Sequence, residues 1–354
     1  MVRRGWALLL GALLGGCAVV GPDYRVPDRA LVNAAPAQGA FLSGGAAVKA
    51  EPLPDHWWAL YKDATLDRLI GEAFAANTDL RVAQANLERS LALLGERRAG
   101  REIQGGVDLE TSWAQRSAEA ELSHVQPPVR QIYNLGAAAS YDLDLFGGLK
   151  RGIEAAGADA EAAVAARDLV RVNVAAETAR AYADICNAGY QLDVLARLIA
   201  VQRRGVALTR LLVAHGRAAS CELDRRQGLL EAGEARMPRL AARQRGALFR
   251  LAALTGRVPA QADASLLSCR RPLQLAQVIP VGDGAALLRR RPDIRMAERR
   301  LAAATARIGV ATAALYPDIR LGASIGSTGG DGGYVLAACQ SVWPWPADRL
   351  DAQP

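Results

Sequence analysis

The chain has 354 residues, 51% of them apolar and only 5% aromatic, enough to bury a core in one or two units and better suited to Ala-rich helix packing than to an aromatic globular core. The formal charge is +7, yet the three lysines are Lys49, Lys62 and Lys150 and the arginines are spread among acids, which argues against a nucleic-acid arm, whose affinity needs clustered cations. Three histidines (His56, His124, His215) and five cysteines (Cys17, Cys186, Cys221, Cys269, Cys339) include no CxxC and no HExxH, which argues against a metal centre, a resident cofactor and a disulfide framework.

Arg3 and Arg4 precede an apolar run from Trp6 to Leu14 that ends in Leu14-Gly15-Gly16-Cys17. The run is too short to span a bilayer of roughly 30 Å, so residues 1–16 read as a cleaved lipoprotein signal peptide. The motif resembles a lipobox, which makes Cys17 the acylated, palmitate-bearing first residue of the mature chain. Ala18 follows where some lipoproteins carry an inner-membrane retention Asp, favouring the outer membrane. Residues 17–56 hold Pro22, Pro27, Pro36, Pro52 and Pro54, the composition of an extended linker leading away from the lipid.

Regular structure begins near Trp57, and a helical pattern runs from Leu66 to Arg98, interrupted at Asn77-Thr78-Asp79, where short polar side chains cap a new helix. The segment from Asp79 then repeats at Asp293, without gaps: Asp79/Asp293, Arg81/Arg295, Ala83/Ala297, Leu87/Leu301, Ala92/Ala306, Gly95/Gly309 and Ala99/Ala313 are identical pairs.

Each copy is followed by alternation. Val107, Leu109, Thr111 and Trp113 alternate with Gly106, Asp108, Glu110 and Ser112; Tyr133, Leu135, Ala137, Ala139, Tyr141, Leu143 and Leu145 alternate with residues that include Asp142 and Asp144; Ile319, Leu321, Ala323 and Ile325 alternate with Asp318, Arg320, Gly322 and Ser324. Period two means one apolar and one polar face. In a soluble sandwich the apolar face is core; in a membrane barrel it meets lipid, and Asp108, Glu110, Asp142 and Asp144 face the lumen.

After Gly147-Gly148 the apolar spacing becomes 4 and 3 without drift, through Val174, Thr178, Ala181, Ile185, Ala188, Leu192, Leu195, Ile199, Gln202, Val206, Thr209 and Val213. That heptad predicts a coiled coil from about Ile153 to Val213, roughly 90 Å long at about 1.5 Å per residue. Gly216 breaks it, and Glu222 to about Thr255 returns antiparallel with a kink at Pro238. Gly256, Pro259 and Pro272 open an irregular linker ending near Pro292. Cys186 and Cys221 read as small packing residues on these helices.

The lipobox, the YDLDLFGG segment (Tyr141 to Gly148), LLRRRPDI (Leu287 to Ile294) and ARIGVATAALYPDIRL (Ala306 to Leu321) together resemble outer-membrane efflux lipoproteins, TolC-like outer-membrane factors of RND tripartite pumps, in their NodT branch. The resemblance implies a mainly α fold with membrane β-strands: TolC-like long coiled-coil helices, plus a strand pair and a third strand contributed to a trimeric β-barrel. It implies a homotrimer in the outer membrane with its helices in the periplasm. Its partners are a periplasmic adaptor and an inner-membrane RND pump, and it exports small toxic compounds or drugs without enzymatic chemistry. The adaptor contact is placed at the helix break, Gly216, Arg217 and Ala218.

The organisation expected on this basis is a first repeat at 57–256, a linker at 257–292, the start of a second repeat at 293–328 and a tail at 329–354 that carries none of the family motifs. The second repeat is incomplete, so a C-terminally truncated duct with impaired export is expected. Gly322-Ala323-Ser324-Ile325-Gly326 matches a GxSxG elbow, but no His follows it, so Ser324 reads as a lumen-facing strand residue and no catalytic residue is assigned. The alternative to a duct is a non-transporting periplasmic coiled-coil lipoprotein with a structural or interaction role.

Overall fold

A computed structural model describes residues 19–39, 48–49, 51–52, 54–119, 122 and 124–329. The signal segment, Cys17 and the tail from 330 onward lie outside the described residues. The elements are β1 (Val48–Lys49), α1 (Ala64–Ala76), α2 (Thr78–Ala99), β2 (Gln104–Ala114), β3 (Arg130–Asp142), α3 (Gly148–Ala214), α4 (Ser220–Glu234), α5 (Met237–Leu254), β4 (Ile279–Pro280), α6 (Gly284–Arg290), α7 (Pro292–Ala313) and β5 (Arg320–Gly329).

Polar caps set the helix boundaries. Asp63 accepts from the amides of Thr65 and Leu66 at the start of α1. Asn77 accepts from Asp79 and Leu80 and so restarts the helix as α2, satisfying amides that have no intrahelical partner. α3 ends in a Schellman cap: Gly216 has φ 66°, its amide donates to Val213 and that of Arg217 to Leu212. The returning strand of the hairpin is two helices rather than one kinked helix. α4 stops at Glu234, and Pro238 sits in the first turn of α5, where its missing N–H costs nothing.

Contacts divide the chain into two units. The first holds Arg89–Glu161 with the described parts of Met1–Arg25 and Glu298–Pro354. The second holds Val26–Glu88 and Ala162–Ala297. The division cuts across both repeat copies, since α2 and α7 each contribute to both units.

In the first unit β2, β3 and β5 form an antiparallel sheet with β3 in the centre. The two repeat-related strands therefore flank the same partner, with Gln104 and Gly322 both opposite Ser140. In the second unit α3 packs antiparallel on α4 and α5: Arg203 pairs with Glu234 at 2.7 Å, and Gln244 donates to the Ile185 carbonyl at 3.2 Å. The core gathers Leu66, Leu69, Ile70, Ala181, Ile185, Leu248, Leu251 and Leu266.

The Pro-rich segment departs from the extended linker expected for 17–56. Residues Leu31–Asn33 and Ala35–Gln38 form single 3-10 turns packed on α6, and β1 pairs in parallel with β4. Proline fixes φ without forbidding tertiary contact, so the segment lies as a strap on the connector expected to be irregular.

Candidate functional site

Direct cross-strand partners share a face of a sheet. The register puts Leu109 opposite Leu135, Val107 opposite Ala137 and Ala137 opposite Ile325, and Tyr141 opposite Leu321. The alternating apolar residues of all three strands thus form one continuous face. That face is bare: Val107 is 77% exposed, Leu109 and Trp113 72% and Ile325 63%. A folded chain that leaves such a patch open has a partner or a lipid phase for it. The sandwich alternative, in which this face is core, fails on that exposure.

The opposite face carries Asp108, Glu110, Asn134, Ser324 and Asp142. Asp108 lies over Gly136, where a Cβ would meet its carboxylate at 2.8 Å. Asp142 accepts from Arg320 across the β3–β5 pair, at 3.2 Å for one of its two hydrogen bonds. Asp144 needs a correction. It lies two residues beyond the end of β3, has φ 44°, and its two carboxylate oxygens accept from the amides of Leu149 at 2.8 Å and Lys150 at 2.9 Å. It caps α3 instead of lining the strand, because the first amides of a long helix are unsatisfied and attract an acceptor.

At the strand–helix junctions Phe146 and Tyr316 stack with centroids 4.5 Å apart. The described N-terminal segment docks beside them. Val20 donates its amide to Phe146, Val19 lies against Gly147, and Gly21 packs on the backbone of Gly309 so closely that a side chain at 21 has no room. Arg151, buried, donates to the carbonyls of Val20 and Gly21 and to the carboxylates of Asp23 and Glu154 at 2.7–3.1 Å. Its hydrogen bond and charge hold the Asp23 carboxyl below the usual carboxylate range. Nothing in the local sequence of Arg151 distinguishes it from the other arginines of the helix.

Along α3 the heptad holds position by position. Val174, Thr178, Ala181, Ile185, Ala188, Leu195, Ile199, Val206 and Thr209 are buried, while Leu192, Gln202 and Val213 are half-buried. A second apolar stripe, Tyr190, Val194, Leu198, Val201, Leu208 and Leu211, stays exposed on the same helix. At the turn, Gly216 and Arg217 are exposed and Ala218 is half-buried. Among the described residues no helix is long and apolar enough to cross a membrane.

The cysteine reading also needs correction. Cys186 and Cys269 are joined by a disulfide across 83 residues, and Cys221 is exposed rather than packed. Sequence spacing carries no trace of the pairing, since one cysteine sits in the middle of a helix and the other in a connector.

A family model described as outer membrane efflux protein matches residues 69–257 and 285–334. The chain belongs to the outer membrane efflux protein family. Nodulation protein T of Rhizobium leguminosarum bv. trifolii is 29% identical over 332 residues, 90% of this chain and 66% of the relative. The toluene efflux pump outer membrane protein TtgC of Pseudomonas putida is 30% identical over 342 residues, 94% of this chain and 68% of TtgC. The solved outer-membrane channel OprN superposes with a TM-score of 0.79 at 32% identity, covering 89% of this chain and 69% of OprN. This efflux-family chain therefore spans about two thirds of the length of the curated relatives it matches. TtgC is named as an efflux pump outer membrane protein and OprN as an outer-membrane channel, neither as an enzyme.

Proposed function

We propose that the chain is the outer-membrane duct of a tripartite efflux system, a homotrimer working with a periplasmic adaptor and an inner-membrane RND pump to export small toxic compounds. The observation that carries the reading is the bare apolar face shared by β2, β3 and β5. In hydrocarbon every backbone polar group needs an internal partner, so strands span a membrane only as a closed barrel, and the three described strands of the sheet require neighbours. Lipid then covers Val107, Leu109 and Ile325, and the carboxylates of Asp108, Glu110 and Asp142 face a water-filled lumen. The exposed stripe from Tyr190 to Leu211 takes the helices of neighbouring protomers, as the second seam of a coiled-coil tunnel.

Cys17 carries the lipid. Residues 19–24, which dock at Gly147 and Arg151, leave the anchor a short tether to the unit that holds the strands. α3 runs 67 residues from Gly148, about 100 Å at 1.5 Å per residue, and the turn at its C-terminal end, Gly216, Arg217 and Ala218, is the adaptor contact.

The test is single-cysteine labelling along β2 in a variant lacking both the exposed Cys221 and Cys339. In intact cells, cysteines at 107 and 109 should react only with lipid-soluble maleimides and those at 108 and 110 with charged methanethiosulfonates, in a chain that runs as a detergent-dependent, heat-modifiable trimer. A water-soluble monomer in which all four positions react alike with the charged reagent would refute the duct and favour the structural lipoprotein.

A further inference from the structure

We infer that Cys186 and Cys269 form a maturation site: the chain is a substrate of a disulfide-bearing thiol oxidoreductase, and the bond so installed staples the connector between α5 and α6 to the middle of α3. The oxidising compartment this needs rests on the outer-membrane reading above.

The two sulfurs sit in different surroundings. Cys186 is 1% exposed, inside the core made by Ile185, Leu248, Leu251 and Leu266. Cys269 is half-buried at the end of the 3-10 turn Ala264–Ser268 and lines an open cleft of about 620 Å³ with Tyr61, Asp63, Tyr182, Arg270 and Pro272. Cys186 does not line that cleft. The docking is close around the bond as well: the Cys269 carbonyl approaches Gly189, one turn after Cys186, and Gln244 donates to the carbonyls of both Ile185 and Leu267 at 3.2 and 3.1 Å. The bond thus joins surfaces that already fit, and of its two residues only Cys269 lines a surface open to another protein.

That asymmetry fixes the order of exchange. The Cys269 thiolate attacks the oxidant's disulfide; the oxidant's S–S bond breaks and a mixed disulfide forms. The Cys186 thiolate then attacks the Cys269 sulfur, the mixed bond breaks, and the oxidant leaves as a dithiol. Two electrons pass from the chain to the oxidant, and the chain's two thiol protons end on the dithiol.

Among the described residues the competitor is Cys221, whose thiol is free. It is closer to Cys186 in sequence, so an unfolded chain closes that smaller loop more readily. In the fold, the antiparallel hairpin sets Cys221 beside the end of α3, roughly 40 Å along the helix from Cys186 at about 1.5 Å per residue. Native packing therefore selects Cys269.

The experiment expresses the full chain in hosts with and without a periplasmic dithiol oxidase, quenches in acid, blocks free thiols with a maleimide and maps the peptides by mass in each cell fraction. With the oxidase, Cys221 should react while Cys186 and Cys269 react only after reduction; without it, the free fraction of both should rise several-fold. Cys186→Ser should trap a reducible adduct between Cys269 and the oxidase, several-fold more than Cys269→Ser does through Cys186. Free thiols at both positions in outer-membrane chain from the oxidase-bearing host, a Cys186–Cys221 bond as the main species, or equal or greater trapping by Cys269→Ser would overturn the inference alone. Chain recovered only from the cytosol, with both thiols free, would overturn it together with the efflux reading.

Discussion

Replacing Gly189 by Ala tests whether the connector is held to α3 by close approach. In most helix interiors this change stabilises by about 1 kcal/mol, because alanine loses less backbone entropy. Here an added Cβ would lie 2.1 Å from the Cys269 carbonyl oxygen and 2.8 Å from Gln244 Nε2. The connector must retreat by about 1 Å to reach the ~3.3 Å of an ordinary carbon–oxygen contact. Crowding a packed interior costs about 1–3 kcal/mol, and loosening the two hydrogen bonds of buried Gln244 costs about 1 kcal/mol each. After the propensity gain, a net loss of about 2–4 kcal/mol remains. Gly246→Ala on α5 is the control, since Gly246 is exposed and its Cβ would meet nothing within 4 Å. Thermal unfolding of the detergent-solubilised chain, followed by circular dichroism, should put the Gly189→Ala midpoint several degrees below that of the parent and leave Gly246→Ala level or above it. A Gly189→Ala midpoint equal to or above the parent's, with the Cys186–Cys269 bond intact by mass, would refute the close packing.

Three further outcomes are expected. Leu109→Arg, on the lipid-facing side of β2, should cost about 2–4 kcal/mol and deplete the heat-modifiable trimer on unheated gels, while Asp108→Asn on the other face leaves the trimer yield unchanged. Ile185→Ala, fully buried at the seam, should destabilise by about 2–5 kcal/mol in thermal unfolding, whereas Leu198→Ala on the exposed stripe should leave protomer unfolding unchanged and weaken trimer association. The docked segment should loosen in acid: Arg151 lowers the folded-state pKa of Asp23, so its contribution is present above the unfolded carboxylate value and is lost as pH falls through the folded one. Hydrogen-exchange protection of the Val20 amide should fall over that acid range in the parent, and Asp23→Asn should remove that dependence.

The sequence by itself carried whatever is local or periodic. The heptad from Val174 to Val213 survives in the fold because each seam residue repeats its neighbour's environment one turn on. The break at Gly216 was legible because the left-handed conformation that ends a helix favours glycine. Asn77 declared the restart of α2 through its own side chain, and alternation declared the two faces of each strand, because both depend on residues within a few positions. Tertiary structure decided what depends on distant parts of the chain meeting. Alternation did not say that β2 and β5 would share β3, nor that their apolar faces would lie bare on one side of the sheet. The Cys186–Cys269 bond, the close approach at Gly189 and the burial of Arg151 under residues 20–23 join segments 80 to 130 positions apart, and composition and spacing hold no record of such meetings. Asp144 shows the limit from the other side. Its place in the alternation agreed with a strand, but the unsatisfied amides at the start of a 67-residue helix took its carboxylate instead, since a cap supplies hydrogen bonds that the end of a strand does not.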